Sequence, residues 1–91
     1  MAQRKFAIHG RGYDLTFRDA DGSIIEQRGR RFLTFREAEI WAINSVQACL
    51  LGDHADLYDD DAKKLKGILR NTCRYVEGQG VIQQVTWETP R

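Results

Sequence analysis

Residues 34–51, TFREAEIWAINSVQACLL, read as one helix with enough apolar surface for the rest of the chain to pack against. Thr34 stands directly before Phe35 and three residues ahead of Glu37, the spacing of a capping box. In that motif the threonine hydroxyl accepts a first-turn N–H while the glutamate reaches back to the cap. Phe35, Ala38, Ala42, Val46 and Cys49 recur at three or four residues, flanked by Trp41, Ile43 and Leu50, and so define a buried side. Gly52 is the expected stop, because glycine enters the left-handed conformation freely.

On the N-terminal side of this helix the pattern is extended. Phe6 and Ile8 share one side of a segment within residues 3–9, and His9-Gly10-Arg11-Gly12 follows as a turn. Tyr13, Leu15 and Phe17 alternate with Asp14, Thr16 and Arg18, the period of a half-buried strand. Asp19-Ala20-Asp21-Gly22 fits a hairpin turn with Gly22 left-handed. That register sets Phe17 opposite Ile25 and Arg18 opposite Ile24. Residues 23–28 form the return strand, which Gly29-Arg30-Arg31 interrupts.

On the C-terminal side the acidic residues 53–61 read as a loop. Asp60 and Asp61 open a second helix running to Tyr75 or Val76, where carboxylates meet free N–H groups and the positive dipole end. Its buried side is Ala62, Leu65, Leu69, Cys73 and Val76, beside Ile68, and its wet side carries Lys63, Lys64, Lys66, Arg70 and Arg74. Gly67, costly in a helix, permits close approach to the first helix. Gly78 and Gly80 mark a turn, and Val81, Val85 and Trp87 alternate with polar neighbours in a last strand. The expected fold is a single α+β domain over residues 1–91, in the order β-β-β-α-α-β. It has two layers, with both helices on one face of an antiparallel sheet.

Composition bounds the function. Ninety-one residues, 42% apolar and 30% charged, suit one small core and leave little room for a deep cleft. The net charge of +1 does not favour a general polyanion binder. Residues 1–36 carry eight Lys/Arg against four Asp/Glu, and residues 37–91 carry six against nine, so an electrically two-sided molecule is expected if those halves separate in space. No apolar run reaches the length of a membrane span, and the N-terminal residues do not form a secretory signal. Cys49 and Cys73, at apolar helical positions without CxxC spacing, read as two buried thiols in a reducing cytoplasm, with a disulfide between the helices as the alternative.

No motif calls for a cofactor or a metal. Asp19-x-Asp21-Gly22 opens like a calcium loop, but position 30 is arginine where a bidentate glutamate is needed. His54 and Asp56 lack diagnostic zinc spacing. His9-Gly10-Arg11-Gly12 is too short for a dinucleotide fingerprint. The one conceivable catalytic pair is His54 as base with Asp56 as its orienter, and it has no nucleophile. The reading that remains is a non-enzymatic, cytoplasmic module that binds another protein and modulates it. Its expected contacts are Arg28, Arg30, Arg31, Asp53, Asp56, Asp59 and the tryptophan Trp41, with homodimerisation through a sheet edge or open face. The alternative is a nucleic-acid surface of Arg11, Arg28, Arg30, Arg31, Lys63, Lys66 and Arg70, since guanidinium groups grip phosphate and stack on bases. Small domains of this build are common among bacterial, plasmid and phage proteins, a fold-level analogy that assigns no function.

Overall fold

The alternation in Tyr13-Asp14-Leu15-Thr16-Phe17 produces an interior strand of the sheet, paired on both sides. The computed structural model describes residues 10–90. They run β1 (Arg11–Arg18), β2 (Ile24–Phe32), α1 (Phe35–Ala48), β3 (His54–Asp59), β4 (Lys64–Val76) and β5 (Gly80–Glu88). The strands form one antiparallel sheet in the order β2-β1-β3-β4-β5. Both β2 and β3 are antiparallel to β1, so they are parallel to each other. The helix is the crossover that joins them past β1.

The helix begins as its sequence dictates. The Thr34 side chain accepts from the Glu37 N–H at 3.2 Å, and the Glu37 carboxylate accepts from the Thr34 N–H at 3.1 Å. Ala38, Ala42 and Val46 are fully buried, and the two alanines let the helix axis approach the sheet closely. Beneath it lie Tyr13, Leu15 and Phe17 of β1, Ala55 and Leu57 of β3, and Leu69 of β4. Aromatic rings close the rim, with Phe32 and Trp41 5.3 Å apart and Phe35 6.0 Å from Trp87. The helix ends earlier than Gly52, at Cys49, whose extended backbone (φ −166°) leaves the helical path.

The expected two-helix fold is overturned: the described residues hold one helix and five strands. The segment 53–61, read as a loop, contains β3. The segment 60–76, read as a helix, is a turn followed by the 13-residue strand β4. Asp59 accepts from the N–H groups of Asp61 and Ala62 at 3.1 and 3.0 Å, which satisfies a strand turn instead of a helix start. Lys63 takes a positive φ of 56° there. Gly67 does permit close approach, but to Trp87: a Cβ at Gly67 would collide with the indole ring. Strand β2 also runs unbroken through Gly29-Arg30-Arg31. The hairpin turn forms with Gly22 at φ 91° and Arg18 opposite Ile24, but a bulge sets Phe17 opposite Glu26 and not Ile25. The strand expected within residues 3–9 lies outside the described residues. Both cysteines are free and exposed, so neither the buried-thiol reading nor the disulfide holds.

Candidate functional site

With the helix on one face, the other face of the sheet is open, and the strand period decides what it displays. Asp14, Thr16 and Arg18 of β1 point there, as do Gln27 of β2 and Asp56 and Tyr58 of β3. A register shift after Leu57 places Leu65 opposite Tyr58 and Gly67 opposite Leu57. The bulge between them sends Leu65 to this open face, while Lys66 turns back and lies 5.0 Å from the centre of the Phe35 ring. Together with Asp60 from the β3–β4 turn, these side chains line a groove of about 480 Å³.

The groove floor is Thr16, 3% exposed, whose hydroxyl accepts from the Gln27 amide at 3.1 Å. Beside it, Asp56 Oδ2 accepts from Arg18 Nε at 2.9 Å, and Arg18 Nη1 donates to the Gly22 carbonyl at 2.8 Å. The other oxygen, Asp56 Oδ1, is buried and has no hydrogen-bond partner. His54 Nε2 lies 3.8 Å from it, too far for a hydrogen bond, because the ring is turned by its contact between Nδ1 and Asp53 Oδ2 at 2.8 Å. Asp14 lies on the opposite wall, over the bare backbone of Gly29, where a Cβ would press on its Oδ1 at 3.0 Å. Burial, and after it the charge of Asp60, raises the Asp14 carboxyl above its ordinary pKa, and Lys63 only partly offsets them. Three carboxylates against one guanidinium leave the groove with a formal charge of about −2 when all are ionised.

The expected contact residues are scattered around this groove, not gathered in it. The run Arg28–Arg31 is divided between the two faces. Arg28 pairs with Glu26 and lies 5.0 Å from the Phe17 ring centre, and Arg30 lies 5.4 Å from that of Phe32, both on the helix side. Arg31, on the open side, donates to the Gly10 carbonyl at 2.8 Å and sits 3.6 Å from Asp61. Asp53 is bound by Arg70 at 2.9 Å. Its hydrogen bond to His54 first, and Arg70 after that, hold its carboxyl below the usual range. Asp59 is 3% exposed and takes Arg11 at 3.3 Å, so it anchors the turn and offers no docking surface. Trp41 is half-buried against Phe32. Only Asp56 among those candidates lines the groove. Of the other groove residues, the sequence reading placed Asp60 at a helix start and Leu65 on a helix's buried side, and it did not name Asp14, Gln27 or Tyr58 as contacts. For Asp14 and Tyr58 the available signal was strand alternation, since each lies between two buried neighbours.

The same pairings bear on the arginine-rich surface. Arg11, Arg28, Arg31, Lys63 and Arg70 each have a carboxylate within 4 Å, while Arg30 and Lys66 lie over aromatic rings. The expected electrical separation of the chain halves does not arise, because Arg11, Arg18 and Arg31 meet Asp59, Asp56 and Asp61 across the β1–β3 side of the sheet. Among the described residues no three His, Cys, Asp or Glu side chains are grouped to hold a metal ion. No helix among them is long and apolar enough to cross a membrane. No protein-family model, curated protein or solved structure matches the chain.

Proposed function

We propose that this chain is a small non-enzymatic module that receives a basic segment of another protein in the groove on its open sheet face. The observation that carries this reading is the charge of the groove lining, the carboxylates of Asp14, Asp56 and Asp60 against the single guanidinium of Arg18. An arginine or lysine head from a partner is a donor of the right charge, and Tyr58 and Leu65 offer apolar walls for its methylene stem. The two free, exposed cysteines fit action in a reducing cytoplasm. Phosphate binding is the weaker reading, since seven of the cationic side chains it would use are already engaged.

The test is an NMR titration of the chain with an arginine-rich hexapeptide, an acidic hexapeptide and a short oligonucleotide. The arginine-rich peptide is expected to shift the amides of Asp14, Thr16, Asp56 and Tyr58, and the double variant Asp14→Asn, Asp60→Asn to weaken its binding at least tenfold. Salt should reduce the affinity moderately, as at a partly buried site. Shifts confined to the arginines, produced by the oligonucleotide alone and abolished by salt, would sink the proposal.

A further inference from the structure

The two edges of the sheet differ in chemistry. The β2 edge, Ile24–Phe32, carries Glu26, Arg28, Arg30 and Arg31, with Gly29 in the middle. Charges along an edge discourage strand addition, because a newcomer must desolvate them or oppose them. The β5 edge has no such protection. From Val81 to Trp87 it reads Val-Ile-Gln-Gln-Val-Thr-Trp, seven residues without a charge, a proline or a glycine. β5 pairs with β4 on one side and with no described strand on the other.

Strand β4 outruns its own neighbour. β3 pairs with it only from Lys64 to Leu69, whereas β5 follows it out to Val76. The end of the β4–β5 hairpin is therefore a two-stranded ribbon projecting past the core, and such a ribbon is marginal in water by itself. At its end Tyr75 and Val81 face each other across the ladder, 72% and 69% exposed.

We infer that β5 pairs with β5 of a second copy of this chain, antiparallel about a two-fold axis at Gln84, joining two five-stranded sheets into one of ten. Three features select this occupant. Antiparallel pairing about Gln84 sets Val81 opposite Trp87 of the other copy and Ile82 opposite Thr86. These are aromatic–β-branched and β-branched pairs of the kind that stabilise ladders. No like charges meet, since the segment has none. Each projecting ribbon tip also comes to lie beside the core-supported end of the other copy's β5, the one place in this register where a free ribbon gains a neighbour. A two-fold contact of this kind uses the same patch on both copies. Opposed residues in an antiparallel pair share a face, so both helices lie on one side of the joined sheet and both grooves on the other.

The experiment measures solution mass by sedimentation equilibrium for the whole chain and for Gln84→Lys and Gln84→Glu. Gln84 is exposed, so neither change disturbs the core. The unaltered chain is expected at twice its 10.5 kDa. Each variant alone sets like charges against each other at the axis, and its dissociation constant should rise at least tenfold. An equimolar mixture of the two sets lysine against glutamate and should regain the doubled mass, which a folding defect would not do. Arg28→Glu, on the other edge, should leave the mass unchanged. A monomer at all concentrations up to about 1 mM overturns the inference, as does a dimer that both Gln84 variants leave intact or that Arg28→Glu dissolves.

Discussion

On β1 the odd-numbered residues Tyr13, Leu15 and Phe17 are buried beneath the helix, while Asp14, Thr16 and Arg18 between them line the open groove. On β3 the same division sets Ala55 and Leu57 against His54, Asp56 and Tyr58. The two faces thus share every backbone hydrogen bond and differ only in side chains. One is dry and closed by Ala38, Ala42 and Val46. The other keeps an ion pair, a threonine–glutamine hydrogen bond and an unmet carboxylate oxygen in a groove about 480 Å³ in volume. The difference teaches that the helix-side face holds the molecule together, while the side chains on its reverse are under no such packing constraint. That division can be attacked from both sides.

The largest effect is expected at the centre of the dry face. Leu57→Ala removes a fully buried side chain opposite Leu15 and should cost about 2–5 kcal/mol in urea unfolding, with the m-value unchanged. A smaller penalty, about 1–3 kcal/mol by the same assay, is expected for Gly67→Ala, whose new methyl must displace the Trp87 indole. Its signature is a change in tryptophan fluorescence, and an unchanged spectrum would mean that the indole does not cover Gly67.

On the open face Asp56→Ala should cost only about 1 kcal/mol, because Arg18 stays partly solvated and keeps the Gly22 carbonyl. It should nevertheless abolish the shifts produced by an arginine-rich peptide. A stability loss as large as that of Leu57→Ala would erase the contrast between the faces.

Asp14→Asn should be slightly stabilising at pH 7. The folded-state pKa of Asp14 is raised, so the folded chain holds a proton that the unfolded chain has released, and stability falls as pH rises through that window. Asparagine removes the penalty. The gain should fade below the ordinary carboxylate range, where Asp14 is protonated in both states. Thermal melts at pH 3 and pH 7 measure it, and a more stable variant with weaker peptide binding would mark Asp14 as a residue kept for function.

Much of this was legible in the residues. The Thr34–Glu37 capping box, the hairpin turn at Gly22, the alternation of β1 and the last strand all carry local signals, and local signals survive into the fold. β3 was hidden by its own composition. Its inward positions are Ala55, Leu57 and Asp59, so a small residue and a carboxylate break the apolar alternation, and the surrounding aspartates mimic a loop. β4 was hidden by its bulge. With Lys66 inserted, Leu65 and Leu69 fall on opposite faces, and the spacing Leu65, Leu69, Cys73, Val76 imitates a helix although Cys73 is exposed. The groove could not be read before β3 was known to be a strand, because three of its eight lining residues, Asp56, Tyr58 and Leu65, depend on which way β3 and β4 turn them.

The crossover from β2 to β3 also sets the tempo of folding. β1 can join β2 through a short turn, but its other side must wait until the entire helix has been passed. Leu15 and Leu57 are about 42 positions apart, and closing so long a loop costs entropy before any contact rewards it. Docking of β3 is thus the expected barrier to refolding, and until it occurs the flank of β1 whose backbone groups, from Gly12 to Arg18 at every second residue, point toward β3 stays open to intermolecular pairing. In stopped-flow refolding, Leu57→Ala should chiefly slow the folding arm, whereas Val81→Ala at the ribbon tip should act almost entirely on unfolding.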